Sequence, residues 1–166
     1  MQQDQYNRMA DALRSHPEAL GWILGANRLI TGLTMVAYPA LLLYLLFTAK
    51  YEMLYHTVLV PGVAFVVVSL FRRVYNAPRP YEKMDIRPLI PKDTHGRSFP
   101  SRHVFSIFII GMCFTQVSPI LAGLIFFAGI FLAIVRVIGG VHFIGDVIAG
   151  ALLGIFIGIL GFYFIF

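Results

Sequence analysis

The chain has 166 residues, 58% of them hydrophobic and only 13% charged, and a formal net charge of +5. Soluble domains contain about 45–50% apolar and about 25% charged residues, so this composition excludes an ordinary soluble protein and predicts a membrane protein. The single cysteine, Cys113, excludes an internal disulfide. The length is that of one domain, which we expect to cover residues 1–166.

The N-terminal segment, residues 1–28, is expected to be amphipathic, and it has no signal-peptide pattern. Residues 5–22 predict a helix that lies at the membrane interface. Met9, Leu13 and Leu20 form its apolar side, and Trp22 is its interfacial anchor.

Five apolar segments follow, and each approaches the roughly 20 residues that a helix needs to cross a bilayer. They cover residues 29–49, 53–71, 103–117, 119–138 and 143–166, and the third is short. Their apolar runs are continuous and do not alternate, which favours helices over a β-barrel. The sequence therefore predicts an all-α integral membrane protein, a bundle of about five transmembrane helices preceded by the amphipathic interfacial helix.

The last segment carries Gly150, Gly154 and Gly158 at a spacing of four residues. This pattern favours close packing against another helix of the same monomer. The alternative interpretation is a homodimer face.

The positive charge is concentrated in one loop. Eight of the 13 Lys and Arg residues lie between Arg72 and Arg102, and the loop of residues 72–102 contains five prolines. A basic loop between spans suits lipid head groups or an anionic substrate. It lacks the regular basic and aromatic interleaving of a strand-binding groove, so we expect no nucleic-acid partner.

Three polar clusters stand at the ends of the predicted spans, and counting crossings places all of them on one membrane face. A snorkelling arginine or a helix-end carboxylate would explain any one member. Together they indicate a functional site. The clusters are Arg72-x6-Arg79-Pro80, Pro100-Ser101-Arg102-His103 and Arg136-x5-His142-x3-Asp146.

These residue types suit phosphoryl transfer. Its transition state spreads negative charge over the phosphoryl oxygens, and arginine donates paired hydrogen bonds to such oxygens while staying charged. Arg72, Arg79 and Arg136 are therefore expected to form a clamp. Ser101 and the backbone N–H groups beside it, at a helix N-terminus, are expected to add donors.

His142 and Asp146 are four residues apart, so they share a helix face. A carboxylate on one imidazole nitrogen fixes the tautomer and leaves the other nitrogen free to attack phosphorus. His103 is then the general acid for the leaving oxygen and activates the water that hydrolyses the phosphohistidine.

A zinc site built from His103, His142 and Asp146 is the competing interpretation. Three arginines beside a divalent cation would repel it, and the second carboxylate that a magnesium site needs is missing. We therefore expect neither a metal nor another cofactor.

The three clusters resemble the signature of the type 2 phosphatidic acid phosphatase superfamily, the lipid phosphate phosphatases. That signature reads Lys-x6-Arg-Pro, Pro-Ser-Gly-His and Ser-Arg-x5-His-x3-Asp, and the resemblance covers roughly residues 30–166. It implies a helical bundle, metal-independent phosphatase activity and the roles given above. The positions that match directly are Arg79, Ser101, His103, Arg136, His142 and Asp146.

Three positions depart from the signature: Arg72 replaces lysine, Arg102 replaces glycine and Val135 replaces serine. The first change keeps the charge but alters the hydrogen-bond geometry. Arg102 either contacts a second phosphate, which makes it a phosphate-binding candidate, or points to solvent. No reacting group is lost.

The resemblance implies undecaprenyl diphosphate, phosphatidylglycerophosphate or phosphatidic acid as substrate, and Arg102 with the loop bases favours a polyprenyl diphosphate. A membrane phosphatase for a soluble phosphate ester is one alternative. A catalytically silent lipid-binding relative is another, although the chain keeps His103, His142 and Asp146.

We expect a multi-pass protein of the cell membrane. With five spans, the side of the active site holds every Lys and Arg except Lys50. Because short basic loops stay in the cytoplasm, this bias predicts a cytoplasmic active site. Bacterial relatives that recycle undecaprenyl diphosphate work on the outer face, which favours the opposite orientation.

Overall fold

The structure of the chain is a computed structural model that describes residues 3–92 and 94–165. Within these ranges every regular element is a helix, so the predicted all-α class is confirmed. The elements are α1 (Gln3–Arg14), α2 (Pro17–Phe47), α3 (Tyr51–Tyr75), α4 (Pro80–Lys83), α5 (Arg102–Thr115), α6 (Pro119–Ile138) and α7 (Ile144–Ile159), and a π-helical stretch, Leu160–Ile165, continues α7. The last residue of the predicted fifth span, Phe166, lies outside the described residues.

Four stretches are long and apolar enough to cross a membrane: α2, α3, α6 and α7 with its π-helical continuation. The fifth apolar helix, α5, has 14 residues. At 1.5 Å per residue it is about 21 Å long, less than the roughly 30 Å of a hydrocarbon core. It contacts all four longer helices, and most of its side chains are buried. The short apolar segment is thus the centre of the bundle.

The helix predicted over residues 5–22 is two helices. Pro17 starts α2, because proline has no N–H to donate and fits the first turn of a helix. The first half, α1, packs its apolar side onto the loop: Tyr6 and Ala10 are buried against Ile86 and Leu89. Residues 17–22 instead begin the first long helix, and the side chain of Trp22 is 81% exposed. An interfacial position for this region stays a prediction.

Gly150, Gly154 and Gly158 face α5 of the same chain, so the alternative interpretation of a homodimer face finds no support. A Cβ at Gly150 would lie 2.7 Å from the Ser101 carbonyl oxygen, and one at Gly154 would lie 2.9 Å from the Phe105 carbonyl oxygen. The favoured interpretation, close packing inside the monomer, is confirmed. The contact brings the start of α5 against the start of α7.

The loop of residues 72–102 folds back over the helix ends. The backbone N–H groups of Leu89 and Ile90 donate to the Gly139 carbonyl at 3.0 and 3.2 Å, and Ser98 N–H donates to the Ala77 carbonyl at 2.8 Å. Gly140 turns the chain after α6 with a φ of 73°, in the left-handed region that favours glycine. The three polar clusters therefore meet beneath one folded loop.

Candidate active site

Three arginines from separate elements have their side chains buried in one place. Arg72 is 7% exposed in the last turn of α3, Arg79 is 4% exposed just before α4, and Arg136 is 3% exposed in the last turn of α6. Among the described residues, Asp146 is the one buried carboxylate. We call this region the arginine pocket. It holds three buried positive charges and one buried negative charge, and because an unpaired buried charge is costly, it lacks negative charge.

Arg72 holds the loop as well as facing the pocket. Its NH1 group donates to the carbonyls of Ser98 (3.1 Å) and Pro100, and its NH2 group donates to the carbonyl of Arg97. A guanidinium has five N–H donors, so these three bonds leave two for another partner. Three of the donors that the predicted clamp would use on phosphate therefore hold residues 97–100 in position.

Arg79 also joins two parts of the chain. Its Nε donates to the Gly96 carbonyl and its NH1 donates to the Val141 carbonyl, both at 3.0 Å. The Glu82 carboxylate accepts from the backbone N–H of Arg79 at 2.7 Å and from that of Gly96 at 2.9 Å. Glu82 thus fixes the backbone on both sides of the guanidinium.

Arg136 determines the tautomer of His103. Its NH2 group lies 2.6 Å from Nδ1 of His103, and because arginine only donates, Nδ1 must be the acceptor. Neutral His103 therefore carries its proton on Nε2. The other end of the guanidinium is held by Asn27 of α2, whose Oδ1 accepts from NH1 at 3.1 Å.

His142 is held in the opposite tautomer. Its Nδ1–H donates to Asp146 Oδ2 at 3.2 Å, and the same oxygen accepts from the Phe143 backbone N–H at 3.0 Å and from the hydroxyl of the buried Ser98. Nε2 of His142 thus keeps a free lone pair. Burial lowers the pKa of His142 to about 4 against the opposing effect of Asp146, so the imidazole is neutral at neutral pH.

Two buried polar atoms of this region have no partner among the described residues: the Ser101 hydroxyl and Nε of Arg136. Ser101 is also anchored at its backbone, since its N–H donates to the Asp146 carbonyl at 2.8 Å. Buried donors without acceptors cost free energy. An oxyanion in the arginine pocket would supply the missing acceptors.

Two further cations border the arginine pocket. Burial and, to a smaller extent, the nearby charges of Arg136, Arg79, Arg102 and Arg72 together lower the pKa of Lys92 in the loop to about 8. Arg102 is exposed, and its guanidinium lies 5.5 Å from the centre of the Phe65 ring. The pocket is therefore more basic than the three buried arginines alone would make it.

A cavity of about 490 Å³ opens beside the arginine pocket, between α2, α3 and α5. His103 borders both spaces, because it lines the cavity and bonds to Arg136. Most of the cavity wall is apolar. Its lining includes Met35, Tyr38, Pro61, Phe65, Ile109 and Leu132.

The predicted site residues Arg72, Arg79, Ser101, His103, Arg136, His142 and Asp146 all lie at this place, and Arg102 lies at its edge. Within the described ranges, no group of three or more His, Cys, Asp and Glu side chains is placed to hold a metal ion. Sequence reasoning missed Ser98, Glu82 and Asn27. Asn27 alone had a usable signal, because an amide near the start of an apolar helix is a functional suspect.

Comparisons with known proteins agree with this geometry. Residues 53–166 match the family model described as the PAP2 superfamily. The crystal structure of LpxE from Aquifex aeolicus superposes with a TM-score of 0.74 at 26% identity, over 97% of this chain and 94% of that one. A PAP2 type phosphatidylglycerolphosphate phosphatase from Bacillus subtilis gives a TM-score of 0.51 at 25% identity, over 92% and 86%. A search of curated protein sequences found no match. The resemblance drawn from the three motifs is confirmed.

Proposed function

Because this chain belongs to the PAP2 superfamily, we propose that it is a membrane phosphatase that hydrolyses a lipid phosphate or diphosphate through a phosphohistidine intermediate, without a metal. The observation that carries the proposal is the charge of the arginine pocket. The pocket holds three buried guanidinium groups and one buried carboxylate, and the Ser101 hydroxyl and Nε of Arg136 lack partners among the described residues. A phosphate supplies both the charge and the acceptors.

In the first step, the free Nε2 of His142 attacks phosphorus. The new N–P bond forms as the bond between phosphorus and the leaving oxygen breaks, and Asp146 stabilises the positive charge on the imidazole. The remaining donors of Arg72, Arg79 and Arg136 hold the phosphoryl oxygens with Ser101. The intermediate is a phosphohistidine at position 142.

His103 protonates the leaving oxygen through Nε2–H. To act as an acid it must carry a second proton, on the Nδ1 that now accepts from Arg136. Phosphate therefore has to draw Arg136 away from Nδ1 when it binds. In the second step His103 returns as a base, takes a proton from water, and the resulting hydroxide displaces His142 from phosphorus.

The cavity beside His103 favours a lipid as the leaving group. It borders the histidine that would protonate the leaving oxygen, and its wall is mostly apolar. A soluble phosphate ester would leave this wall exposed to water. The phosphatidylglycerolphosphate named for the Bacillus subtilis neighbour is one candidate substrate. Undecaprenyl diphosphate and phosphatidic acid are the others.

The test is phosphate release by the purified protein in detergent, with EDTA in excess, from a panel of lipid phosphates, lipid diphosphates and soluble phosphate esters. We expect turnover of lipid substrates that EDTA leaves intact. Loss on chelation with recovery in zinc or magnesium would reject metal independence. Turnover of the soluble esters alone would favour the soluble-substrate alternative, and no turnover at all would favour a silent relative.

A further inference from the structure

The guanidinium of Arg102 lies over an aromatic ring. It stands at the first position of α5, and the ring of Phe65 from α3 lies 5.5 Å below it, within cation–π distance. Among the described residues it has neither a carboxylate partner nor a hydrogen-bond acceptor. A stacked guanidinium still presents its N–H groups at its edge, so Arg102 is ready to bind an anion.

Arg102 borders both the arginine pocket and the cavity. It lines the cavity together with Phe65 and His103. It is also close enough to the pocket and the loop for its charge to contribute to the lowered pKa of Lys92. A group that leaves phosphorus beside His103 and enters the cavity therefore meets a wall that includes Arg102.

We propose that Arg102 is a specificity-determining residue that binds a second anionic group of the substrate, on the leaving-group side of the P–O bond that breaks. This inference rests on the proposed function, because it uses His103 to locate the leaving group. A monophosphate with an uncharged leaving alcohol has no second anionic group for Arg102 to bind. A leaving group that carries its own phosphoryl oxygens gives the planar guanidinium of Arg102 two neighbouring hydrogen-bond acceptors.

Two substrate chemistries place an anion there. In a lipid diphosphate, the leaving group is the lipid monophosphate, whose phosphoryl group is bonded directly to the leaving oxygen. In a phosphorylated phospholipid head group, the leaving alcohol carries a phosphodiester a few bonds further on. Both give Arg102 an anion at the mouth of the cavity, and they differ in how far that anion lies from His103.

The experiment compares three substrates that share one hydrocarbon: a monophosphate, a diphosphate and a phosphomonoester whose leaving alcohol carries a phosphodiester. The quantity measured is the ratio of kcat/KM for each doubly anionic substrate to kcat/KM for the monophosphate. A hydrogen bond to a charged group contributes about 1.5–3 kcal/mol, and each 1.4 kcal/mol is a factor of ten. Arg102→Gln should therefore lower at least one ratio about 10- to 100-fold.

Arg73→Gln is the matched control. Arg73 is an exposed arginine in the last turn of α3, next to Arg72. Like Arg102→Gln, this variant removes one positive charge from the side of the site. We expect its ratios to stay within about threefold of the parent protein, whereas a general loss of surface charge would change both variants alike. Arg102→Lys keeps the charge but loses the planar fork, and its ratio should fall between those of Arg102→Gln and the parent.

A fall in the diphosphate ratio alone identifies the directly bonded phosphate as the partner, and a fall in the other ratio alone identifies the phosphodiester. Equal losses on all three substrates, or no change in either ratio, would overturn the proposal. If the parent protein hydrolyses none of the three, the proposed function fails. Thermal stabilisation by the same lipids still decides the role of Arg102, since the doubly anionic lipids should stabilise the parent more than Arg102→Gln.

Discussion

The two histidines of the site are held in opposite tautomers, because one is bonded to a hydrogen-bond acceptor and the other to a donor. An acceptor, the Asp146 carboxylate, fixes the proton of His142 on Nδ1, whereas a donor, the Arg136 guanidinium, fixes the proton of His103 on Nε2. Both rings therefore direct Nε2 away from their anchors, one with a lone pair and one with a proton. This complementarity is the residue-level basis for assigning them different roles.

The first prediction concerns the nucleophile. His142→Ala should lower kcat more than about 100-fold, beyond the lower end of what a lost acid–base group costs, because no neighbouring group can replace a covalent nucleophile. Asp146→Asn should remain folded and turn over slowly. The measurements are phosphate release and trapping of a phosphoenzyme from labelled substrate by alkaline denaturation, because the P–N bond of phosphohistidine is stable in alkali and labile in acid.

The control for the nucleophile is His16→Ala, which removes a histidine from the exposed junction of α1 and α2. It should trap as much phosphoenzyme as the parent protein. The assignment is wrong if His142→Ala keeps more than about one-hundredth of the activity, since a loss below about 100-fold is smaller than even a lost acid–base group costs.

The second prediction concerns Lys92. Because its pKa is lowered to about 8, the ammonium is charged below pH 8 and neutral above it. Affinity for a phosphate should weaken as the charge is lost, so kcat/KM, which reports the free enzyme, should fall above about pH 8. Lys92→Arg should move this fall to higher pH, and Lys92→Met should remove it while lowering kcat/KM at pH 7. If both variants keep the fall near pH 8, another group is responsible.

At the scale of elements, the contact between α5 and α7 sets the position of the proposed catalytic groups. Gly154 lets the backbone of α5 approach closely, since a Cβ there would lie 2.9 Å from the Phe105 carbonyl oxygen and 3.0 Å from Cβ of Phe108. At Gly158 the nearest atoms are Cγ and Cβ of Met112, at 2.4 and 2.5 Å, and the position of Cβ is fixed by the backbone of α5. Both glycines therefore let the backbone of α5 lie close to α7.

The third prediction follows from this close contact. Gly154→Ala should destabilise the protein by about 1–3 kcal/mol, because the backbone of α5 must shift. That corresponds to several degrees in Tm for a chain of this size. Gly158→Ala should cost a similar amount, since a new rotamer of Met112 moves its Cγ but not its Cβ. Thermal unfolding in detergent measures both.

Gly123→Ala on α6 is the matched control for the glycine contact, because no atom lies within 4 Å of the position of its Cβ. It should leave Tm unchanged or raise it slightly, as alanine favours a helix more than glycine does. A Gly154→Ala variant as stable as the Gly123→Ala variant would contradict close packing at this contact.

The apolar segments and the grouping of the candidate site residues could be predicted because their signals are local. Hydropathy delimits α6 to the residue, and motif spacing predicts His142 beside Asp146. The break before Pro17 was missed because helical periodicity continues across it in the sequence. Glu82 and Ser98 were missed because they act through backbone groups and loop folding, which single-residue chemistry does not reveal.

At the scale of the whole molecule, the basic residues divide the bundle into two unlike ends. Lys50, in the turn between α2 and α3, is the one Lys or Arg at the end opposite the site among the described residues. Basic segments tend to stay on the cytoplasmic side. Loop bases that attract substrate weaken this argument, but the N-terminal segment carries bases that the proposed site does not use.

The fourth prediction is therefore a cytoplasmic active site. In a Cys113→Ala background, Thr94→Cys in the exposed part of the loop should escape a membrane-impermeant thiol reagent in intact cells. Thr48→Cys, in the exposed turn at the other end, should be labelled. Permeabilised cells should label both. Labelling of Thr94→Cys in intact cells with protection of Thr48→Cys would place the site outside.

The shortness of α5 also has a consequence for synthesis. A 14-residue helix that begins with Arg102 and His103 has no stable place of its own in lipid. Its glycine-lined partner surface is on α7, the last of the long helices to leave the ribosome. We expect a nascent chain released before Gly150 to leave α5 unsheltered in the bilayer and to be removed by membrane quality control, so that a basic but incomplete site never accumulates.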